Sequence, residues 1–445
     1  MMSPSWRISL PGSTAGLLFL AVLCSYIAMA VWYPVAYIWL TYEDLYGEWA
    51  QTYFFMLALF LSGAIALRGI RQRLFFALLA IACFYVVMEE ISWGQRLFGV
   101  QTPELLQRYN LQHETNFHNL LTGPFDTLIK RALEYTLSTA FVLYGLVYPI
   151  IIRSWPWLRT LERRWLPAPP LYLWAFFAAA AYLELGNLNF NEAEVAELLI
   201  GASMALLCGH YWLLGRHDLD AHTPQSWPPG TSARLALLIA GLFGAAVLLS
   251  AVTTQLLYRD AALRKATDVR LLNGYEKFAG RYAGYGRWHE AAALYLKVHQ
   301  AEPGRTSVMR RLADASRLGG DINSFNHYNQ MALDILLAQQ AENPNKISTN
   351  LALSRTYRQR GLASLGMSHL LRAHELAKQR VVEQPNSANE AYWLGKTYKE
   401  LGDMANATQQ FRRAFKLEPS STKYRKAMLV MQAYTTQANE PADNE

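Results

Sequence analysis

The chain has 445 residues, of which 52% are apolar, 17% charged and 13% aromatic. Residues 1–257 carry 14 Lys and Arg against 16 Asp and Glu, a net charge of −2, whereas the remainder carries 27 against 18, a net charge of +9. In the first part the charges stand in short clusters between long apolar runs, which excludes a soluble enzyme, a disordered chain and a fibrous protein. The composition predicts an integral membrane region followed by a soluble region.

Seven apolar segments approach the roughly 20 residues that a helix needs to cross a bilayer. They are predicted at 16–39, 50–67, 74–95, 132–152, 171–189, 195–214 and 234–257, of which the third and fifth are the weakest. With the N-terminus in the cytoplasm, ten arginines fall in inner connections and four basic residues in outer ones, as the retention of positive charge on the cytoplasmic side requires. Seven crossings of a bacterial inner membrane then place the soluble region outside. One crossing more or fewer would invert it.

Small and aromatic residues recur in the second part at offsets within a unit of 34 residues. Two copies are clear: Leu394, Gly395, Tyr398, Leu401, Gly402, Ala407, Phe411, Ala414 and Pro419, and Tyr275, Phe278, Ala279, Tyr282, Gly286, Ala291, Tyr295 and Pro303. Two weaker copies surround Gly320 and Gly361. Small residues let antiparallel helices approach closely, and aromatic residues fill the space between them. The region resembles the tetratricopeptide repeat (TPR) superfamily, which implies a superhelix whose groove binds a protein or peptide.

The predicted fold class is all-α, with a polytopic helical membrane bundle of about seven spans followed by a TPR-type α-solenoid. The predicted divisions are a transmembrane domain at 1–257, a connecting helix or linker at 258–271, the repeat domain at 272–436 and a disordered tail at 437–445. The charge of +9 indicates either an acidic partner near the groove or a surface kept basic for solubility. Nucleic acid is not an expected partner, because the array has no groove-reading motif.

Acidic residues follow two of the apolar runs at similar depth. In a helix, Leu74–Met88 rises ~22 Å before Glu89 and Glu90, and Leu171–Leu183 rises ~20 Å before Glu184. Ionisable groups at such a depth usually pair, face the bundle interior or line a wet cavity. The alternative is that both helices simply end early at the membrane interface.

The outer loop after the third segment is rich in metal-binding and proton-carrying side chains, including His113, Glu114 and His118. The two histidines are five residues apart, about 140° around a helix, and cannot ligate one ion from one helix face. Glu114 and His118 do have the i, i+4 spacing. The alternative is that these histidines hydrogen-bond to loop carbonyls and have only a structural role.

One hypothesis joins these acidic and imidazole groups in a site at the outer face. Its candidate catalytic residues are Glu89, Glu90, Glu114, His118 and Glu184, and its candidate ligands for a divalent metal ion are Glu89, Glu114, His118 and Glu184. Carboxylate-rich ligation would suit a hard or borderline ion. The segment from Glu89 to Gln95 is also similar to a stretch in uncharacterised bacterial membrane proteins, which implies kinship and no activity.

The predicted function is protein–protein docking. In this interpretation an inner-membrane protein, in contact with membrane lipids, presents an extracytoplasmic TPR domain to a cell-envelope assembly, with polymer synthesis or export as an analogous context. The alternative is a membrane-embedded hydrolase or transferase, metal-dependent or not, with a site at the outer face. A transporter has less support, because the spans show no inverted repeat.

Overall fold

The computed structural model describes residues 9–69, 72–94, 102, 128–214 and 230–439, and all regular elements within these ranges are helical. This agrees with the predicted all-α fold class. The chain divides into two compact units, 1–281 and 282–445. Each unit has its own helical architecture.

The helices of the first unit range from seven to 29 residues in length. They are α1 (Leu10–Trp32), α2 (Pro34–Thr41), α3 (Tyr46–Leu67), α4 (Arg73–Glu90), α5 (Leu128–Phe141), α6 (Tyr148–Ser154), α7 (Pro156–Arg164), α8 (Trp174–Leu183), α9 (Glu192–Leu214) and α10 (Thr231–Arg259). A π-helical turn, Val142–Val147, joins α5 to α6, and 3-10 turns at Ser92–Gly94 and Leu171–Leu173 flank α4 and α8.

Among the described residues, five helical stretches are long and apolar enough to cross a membrane: Leu10–Trp32, Pro34–Leu67, Lys130–Ile152, Glu192–Leu214 and Thr231–Arg259. The third and fifth predicted spans correspond to shorter helices. α4 has 18 residues and ends at Glu90 instead of residue 95, and α8 has 10 residues and ends at Leu183 instead of residue 189. The count of seven crossings therefore stays a prediction.

The first apolar run is not one helix over 16–39, as the sequence suggested. Tyr33 leaves helical geometry, with φ −132° and ψ 66°, and separates α1 from α2. Pro34 lacks the N–H that would continue the helical hydrogen bonds but suits the first position of a new helix. The chain therefore turns at Tyr33 and restarts as α2.

Helix α3 lies at the centre of the first unit, packed against α4, α9 and α10. Gly201 allows the close approach of α9, because a Cβ at this position would lie 3.1 Å from the Cβ of Phe54 and 3.3 Å from the carbonyl oxygen of Gln51. On the α10 side, the Phe54 and Phe243 rings meet at 4.9 Å. Enclosure by three helices buries the second turn of α3, where Gln51 is 1% exposed and Thr52 is 2% exposed.

The second unit consists of helices in antiparallel succession. Helix α11 (Ala261–Gly284) belongs to the first unit up to residue 281. The helices that follow it in the second unit are α12 (Trp288–Ala301), α13 (Thr306–Leu318), α14 (Ile322–Glu342), α15 (Ile347–Gln359), α16 (Ala363–Glu383), α17 (Ala388–Leu401), α18 (Met404–Leu417) and α19 (Thr422–Asn439). From α12 onward each helix packs against the next. This is the TPR-like arrangement that the sequence predicts.

A glycine turn joins the two helices of each pair. Gly286, Gly320, Gly361 and Gly402 all have positive φ, between 72° and 88°, a region that favours glycine. A proline stands two residues after each second helix, at Pro303, Pro344, Pro385 and Pro419. The turn glycines are 34, 41 and 41 residues apart.

The longer spacing explains why the middle copies look weak in a 34-residue frame. Helices α14 and α16 have 21 residues, whereas α12 and α18 have 14. The seven additional residues correspond to about two helical turns and keep the same helix face in register. The pattern therefore persists while its period changes.

The predicted role of small residues in the array is confirmed. The alanines at close-packed positions are all fully buried: Ala279, Ala291, Ala313, Ala332, Ala373, Ala407 and Ala414. At Gly395 a Cβ would lie 2.9 Å from the Phe411 ring, so α17 and α18 pack too closely there for any side chain. Helix contact through small residues therefore holds the pairs together.

Candidate functional site

Gln51 connects two carboxylates inside the first unit. Its Nε2 donates to Glu90 Oε1 over 3.0 Å and to Glu197 Oε2 over 2.7 Å. The three residues come from α3, α4 and α9, so the amide joins three helices at one level. The amide orientation follows from its partners, because only the NH₂ group can donate to two carboxylates.

Three further carboxylates surround this bridge. Glu48 lies one turn before Gln51, and its charge interacts with those of Glu90 and Glu194. Glu184, at the end of α8, is 8% exposed, and its charge interacts with that of Glu197. We call Glu48, Glu90, Glu184, Glu194 and Glu197, together with Gln51, the carboxylate cluster.

The adjacent glutamates Glu89 and Glu90 have different surroundings. Glu89 accepts a hydrogen bond from Trp93 Nε1 over 2.6 Å at an exposed position, whereas Glu90 turns inward to Gln51. Ser92 and Trp93 have φ of 48° and 52°, and this left-handed backbone ends α4. The structure thus brings Glu90 and Glu184, but not Glu89, into the cluster.

The remaining predicted site residues, Glu114 and His118, lie outside the described residues. Within the described ranges, no group of three or more His, Cys, Asp or Glu side chains is arranged to hold a metal ion. The metal site therefore stays a prediction that depends on the loop containing Glu114 and His118. The carboxylate cluster itself fits proton transfer, since neighbouring carboxylates share protons readily.

A polar cleft of about 720 Å³ adjoins the cluster at Glu194. Its walls mix basic side chains, such as Lys130 and Lys277, with acidic ones and with three asparagines of the loop before α9. Glu192 fixes this loop, because its carboxylate accepts the backbone N–H groups of Asn189 at 3.0 Å and Phe190 at 2.7 Å. Glu192, the first residue of α9, therefore has a structural role in this loop.

The second unit has a basic groove along the first helices of three consecutive pairs. A cavity of about 230 Å³ is lined by Arg310 of α13, Arg355 of α15, and Trp393 and Lys396 of α17. Lys346 adds a fourth cation, and no acidic residue lies among the described residues of this lining. Lys396 Nζ lies 4.9 Å from the Trp393 ring centroid, a cation–π distance. We call this surface the basic groove.

Glu400 does not line the groove but holds one of its cations, Arg355. It accepts a hydrogen bond from Arg355 Nε over 2.9 Å and also pairs with Arg358, which joins α15 to α17. Burial alone would raise the pKa of Glu400, but the hydrogen bonds and charges of Arg355 and Arg358 outweigh it and lower the pKa below its usual value. The carboxylate therefore stays ionised and holds Arg355 in place.

The other groove cations are not neutralised in this way. Burial, followed by the charges of Arg355 and Arg311, lowers the pKa of Arg310 to about 10. Burial, followed by the charges of Arg355 and Lys423, also lowers the pKa of Lys396. Arg310 Nε has no hydrogen-bond partner among the described residues. An anion in the groove would relieve this repulsion and satisfy the unpaired donor.

Two groups of functional candidates were not identified from the sequence. Gln51 gives no signal, because a neutral amide inside an apolar helix resembles any tolerated polar residue. The groove cations Arg310, Lys346 and Lys396 are separated by 36 and 50 residues, so only the stacking of helix pairs shows their proximity.

No family model matches the chain, and no curated protein matches it. Solved structures with similar folds include TTC0263, a TPR protein of Thermus thermophilus, at 20% identity and TM-score 0.23, covering 37% of this chain and 82% of that chain. The MamA protein matches at 15% identity and TM-score 0.17, with coverage of 36% and 81%. Human IFIT1 with PPP-AAAA matches at 13% and 0.17, with coverage of 81% and 94%. At such low TM-scores the TPR-like description rests on the helix pairs and glycine turns themselves.

Proposed function

We propose that this protein is a docking platform of a bacterial inner membrane, with the first unit as its membrane anchor and the basic groove as its binding surface. The observation that carries the proposal is the lining of the groove, which has four cations and no acidic residue within the described range. TPR-like arrays bind extended segments along such a surface. The partner would belong to a cell-envelope assembly on the outer side, as the predicted topology suggests.

The chemistry of the groove favours a protein segment rich in Asp and Glu. Arg310 offers an unpaired donor, and Lys396 offers an ammonium group beside the apolar face of Trp393. Carboxylates bind such cations by charge-assisted hydrogen bonds. Trp393 would pack against the aliphatic part of the same segment.

Fluorescence anisotropy on the full-length protein in detergent tests this proposal, with labelled octaglutamate as the probe. We expect saturable binding that weakens about tenfold in the Arg310→Ala/Lys396→Ala double variant, since each lost charge-assisted contact removes part of the affinity. The matched control is Lys378→Ala/Arg412→Ala, which removes the same charge from exposed positions on second helices.

Two outcomes would overturn the proposal. One is an equal loss of affinity in the control double variant, which would show that only total charge matters. The other is tighter binding of labelled octaadenylate RNA than of octaglutamate, which would make the groove a nucleic-acid surface.

A second candidate function is supported by the bridge between Glu90 and Glu197. Two neighbouring carboxyl groups joined by one amide can act as general acid and base, as a membrane-embedded hydrolase or transferase would require. The metal-dependent form of this candidate is tested by the metal content of purified protein beside a Glu89→Ala/His118→Ala variant. Stoichiometric metal that disappears in the folded variant would support it. Metal retained in the variant would exclude these two residues as essential ligands.

A further inference from the structure

A pocket of about 230 Å³ lies in the first unit where four helices meet at one end. The start of α3 contributes Trp49, the end of α4 contributes Glu90, the last turns of α10 contribute Thr254 and Leu257, and α11 contributes Arg270. This pocket is separate from the basic groove of the second unit. The inference from it is therefore independent of the proposed docking function.

Two donors in the pocket wall are buried without partners among the described residues, Thr254 Oγ1 and Trp49 Nε1. Thr254 is 1% exposed. Other helical threonines have a partner for their hydroxyl, as Thr52 does in Glu48 O at 2.8 Å, Thr136 in Ala132 O at 2.6 Å and Thr253 in the Tyr53 hydroxyl at 2.5 Å. Thr254, in contrast, has no hydrogen-bond partner among the described residues, and it lines the pocket.

The tryptophans show the same contrast. Trp39 Nε1 donates to Tyr275 Oη over 3.0 Å, and Trp93 Nε1 donates to Glu89. An indole N–H has no function except as a donor, and leaving it buried and unpaired is unfavourable. Trp49 and Thr254 therefore each bring an unpaired donor to the wall of the same pocket.

The charges of the pocket argue against an anionic ligand. Arg270 is paired with Asp44 and lies 3.8 Å from Glu43, so its charge is already balanced. Glu90 uses Oε1 for Gln51 and reaches the pocket wall. A carboxylate at this position accepts hydrogen bonds and repels anions. The pocket charges therefore disfavour an anionic ligand, and Glu90 can form a hydrogen bond with a ligand hydroxyl group.

The remaining walls are apolar, formed by side chains such as Leu45, Ile91 and Leu257. Roughly eight water molecules occupy this volume in liquid water. The pocket can therefore accommodate a polar head and a few methylene groups. An apolar body with a small number of placed polar groups is the usual composition of a small-molecule site.

We propose that this pocket binds an uncharged acylglycerol-type amphiphile. Its ester carbonyl accepts hydrogen bonds from Trp49 Nε1 and the Thr254 hydroxyl, its free hydroxyl donates to Glu90, and its alkyl chain lies along Leu45 and Leu257. No covalent step is involved.

Binding of tritiated 1-monooctanoylglycerol to the full-length protein in detergent-free peptidiscs tests this proposal, with 1-O-octylglycerol as a matched ether that lacks the carbonyl. We expect one saturable site at which the ester binds about 3- to 10-fold more tightly than the ether, the range for one or two neutral hydrogen bonds. Thr254→Val and Trp49→Phe should each reduce or abolish this preference. Thr136→Val and Trp157→Phe, the same changes at exposed positions, should preserve it.

Any of three results would overturn the proposal: no saturable binding of the ester, equal affinity of ester and ether for the wild-type protein, or an ester preference that persists in both pocket variants. The ester-to-ether comparison on the wild-type protein needs no variant, so a variant that fails to fold does not prevent the test. Loss of octaglutamate binding would have no bearing on this result, since that site lies in the other unit.

Discussion

Gln51 donates to Glu197 over 2.7 Å and thereby connects α3 to α9 near one end of an apolar bundle. The same NH₂ group reaches Glu90, so one neutral side chain separates two carboxylates. Without it, the carboxyl groups of Glu90 and Glu197 would lose the donor that they share, which is unfavourable whenever both are ionised.

We therefore predict that Gln51→Leu lowers the thermal unfolding temperature, with a cost of about 1–3 kcal/mol from the loss of the two hydrogen bonds to Glu90 and Glu197. Adding Glu197→Gln should restore part of that loss, because the second substitution removes one of the two charges and supplies a donor. Thermal unfolding of the single and double variants in detergent measures this coupling. Additive destabilisation would contradict the role assigned to the bridge.

The contact of Gly395 with Phe411 predicts a stability effect in the second unit. Gly395→Ala places a Cβ 2.9 Å from the Phe411 ring, and we expect a loss of about 1–3 kcal/mol from overpacking. Gly284→Ala is the matched control, because no atom lies within 4 Å of a Cβ there. Denaturant unfolding of both variants tests the difference, and an equal effect of the two would contradict close helix packing at Gly395.

Glu400 predicts a pH dependence of the second unit. Its pKa is lower in the folded protein than in the unfolded chain, so its contribution to stability is present above the ordinary carboxyl range and is lost as the pH falls through the lowered pKa. We expect Glu400→Gln to be less stable than the wild-type protein at neutral pH and to approach it in acid. Unfolding temperatures measured at several pH values test this, and two parallel curves would show that the Arg355 and Arg358 contacts contribute nothing.

The proposed topology predicts which sites a membrane-impermeant maleimide can label in spheroplasts. In a background with Cys24, Cys83 and Cys208 replaced, a cysteine at exposed Gln379 in the repeat unit should be labelled. A cysteine at exposed Thr160 in α7 should be protected until the membrane is permeabilised. The reverse pattern would mean that the predicted orientation is inverted. Both cysteines reacting alike would mean that the number of crossings between them is even and not the predicted three.

The sequence predicted those features that repeat or depend on composition. Buried alanines and turn glycines follow a periodic pattern, so the sequence alone identified Ala407 as a close-packed position and Gly402 as part of the same repeat. The change from a 34- to a 41-residue spacing was missed, because the longer α14 and α16 preserve the helix face while shifting the frame.

Contacts between distant helices could not be predicted in the same way. Glu90 was selected by depth alone, and its separation from Glu89 depends on the left-handed turn at Ser92 and Trp93, which no propensity indicates. Gln51 is a candidate only because α9 approaches α3 closely at Gly201, a contact that the sequence does not show. Such relationships arise from tertiary packing and leave no local pattern.

The measurement that tests the docking proposal most directly is hydrogen–deuterium exchange of the full-length protein with and without octaglutamate. Protection should appear in Thr306–Leu318, Ile347–Gln359 and Ala388–Leu401, the helices that carry Arg310, Arg355 and Lys396, and in the last turns of Ile322–Glu342, which contribute Leu336 and Gln339 to the lining. The second helices Ala363–Glu383 and Met404–Leu417, from which no described residue lines the groove, should exchange as before. Protection of the second helices alone, or of the first unit alone, would contradict the assignment of the basic groove as the docking surface.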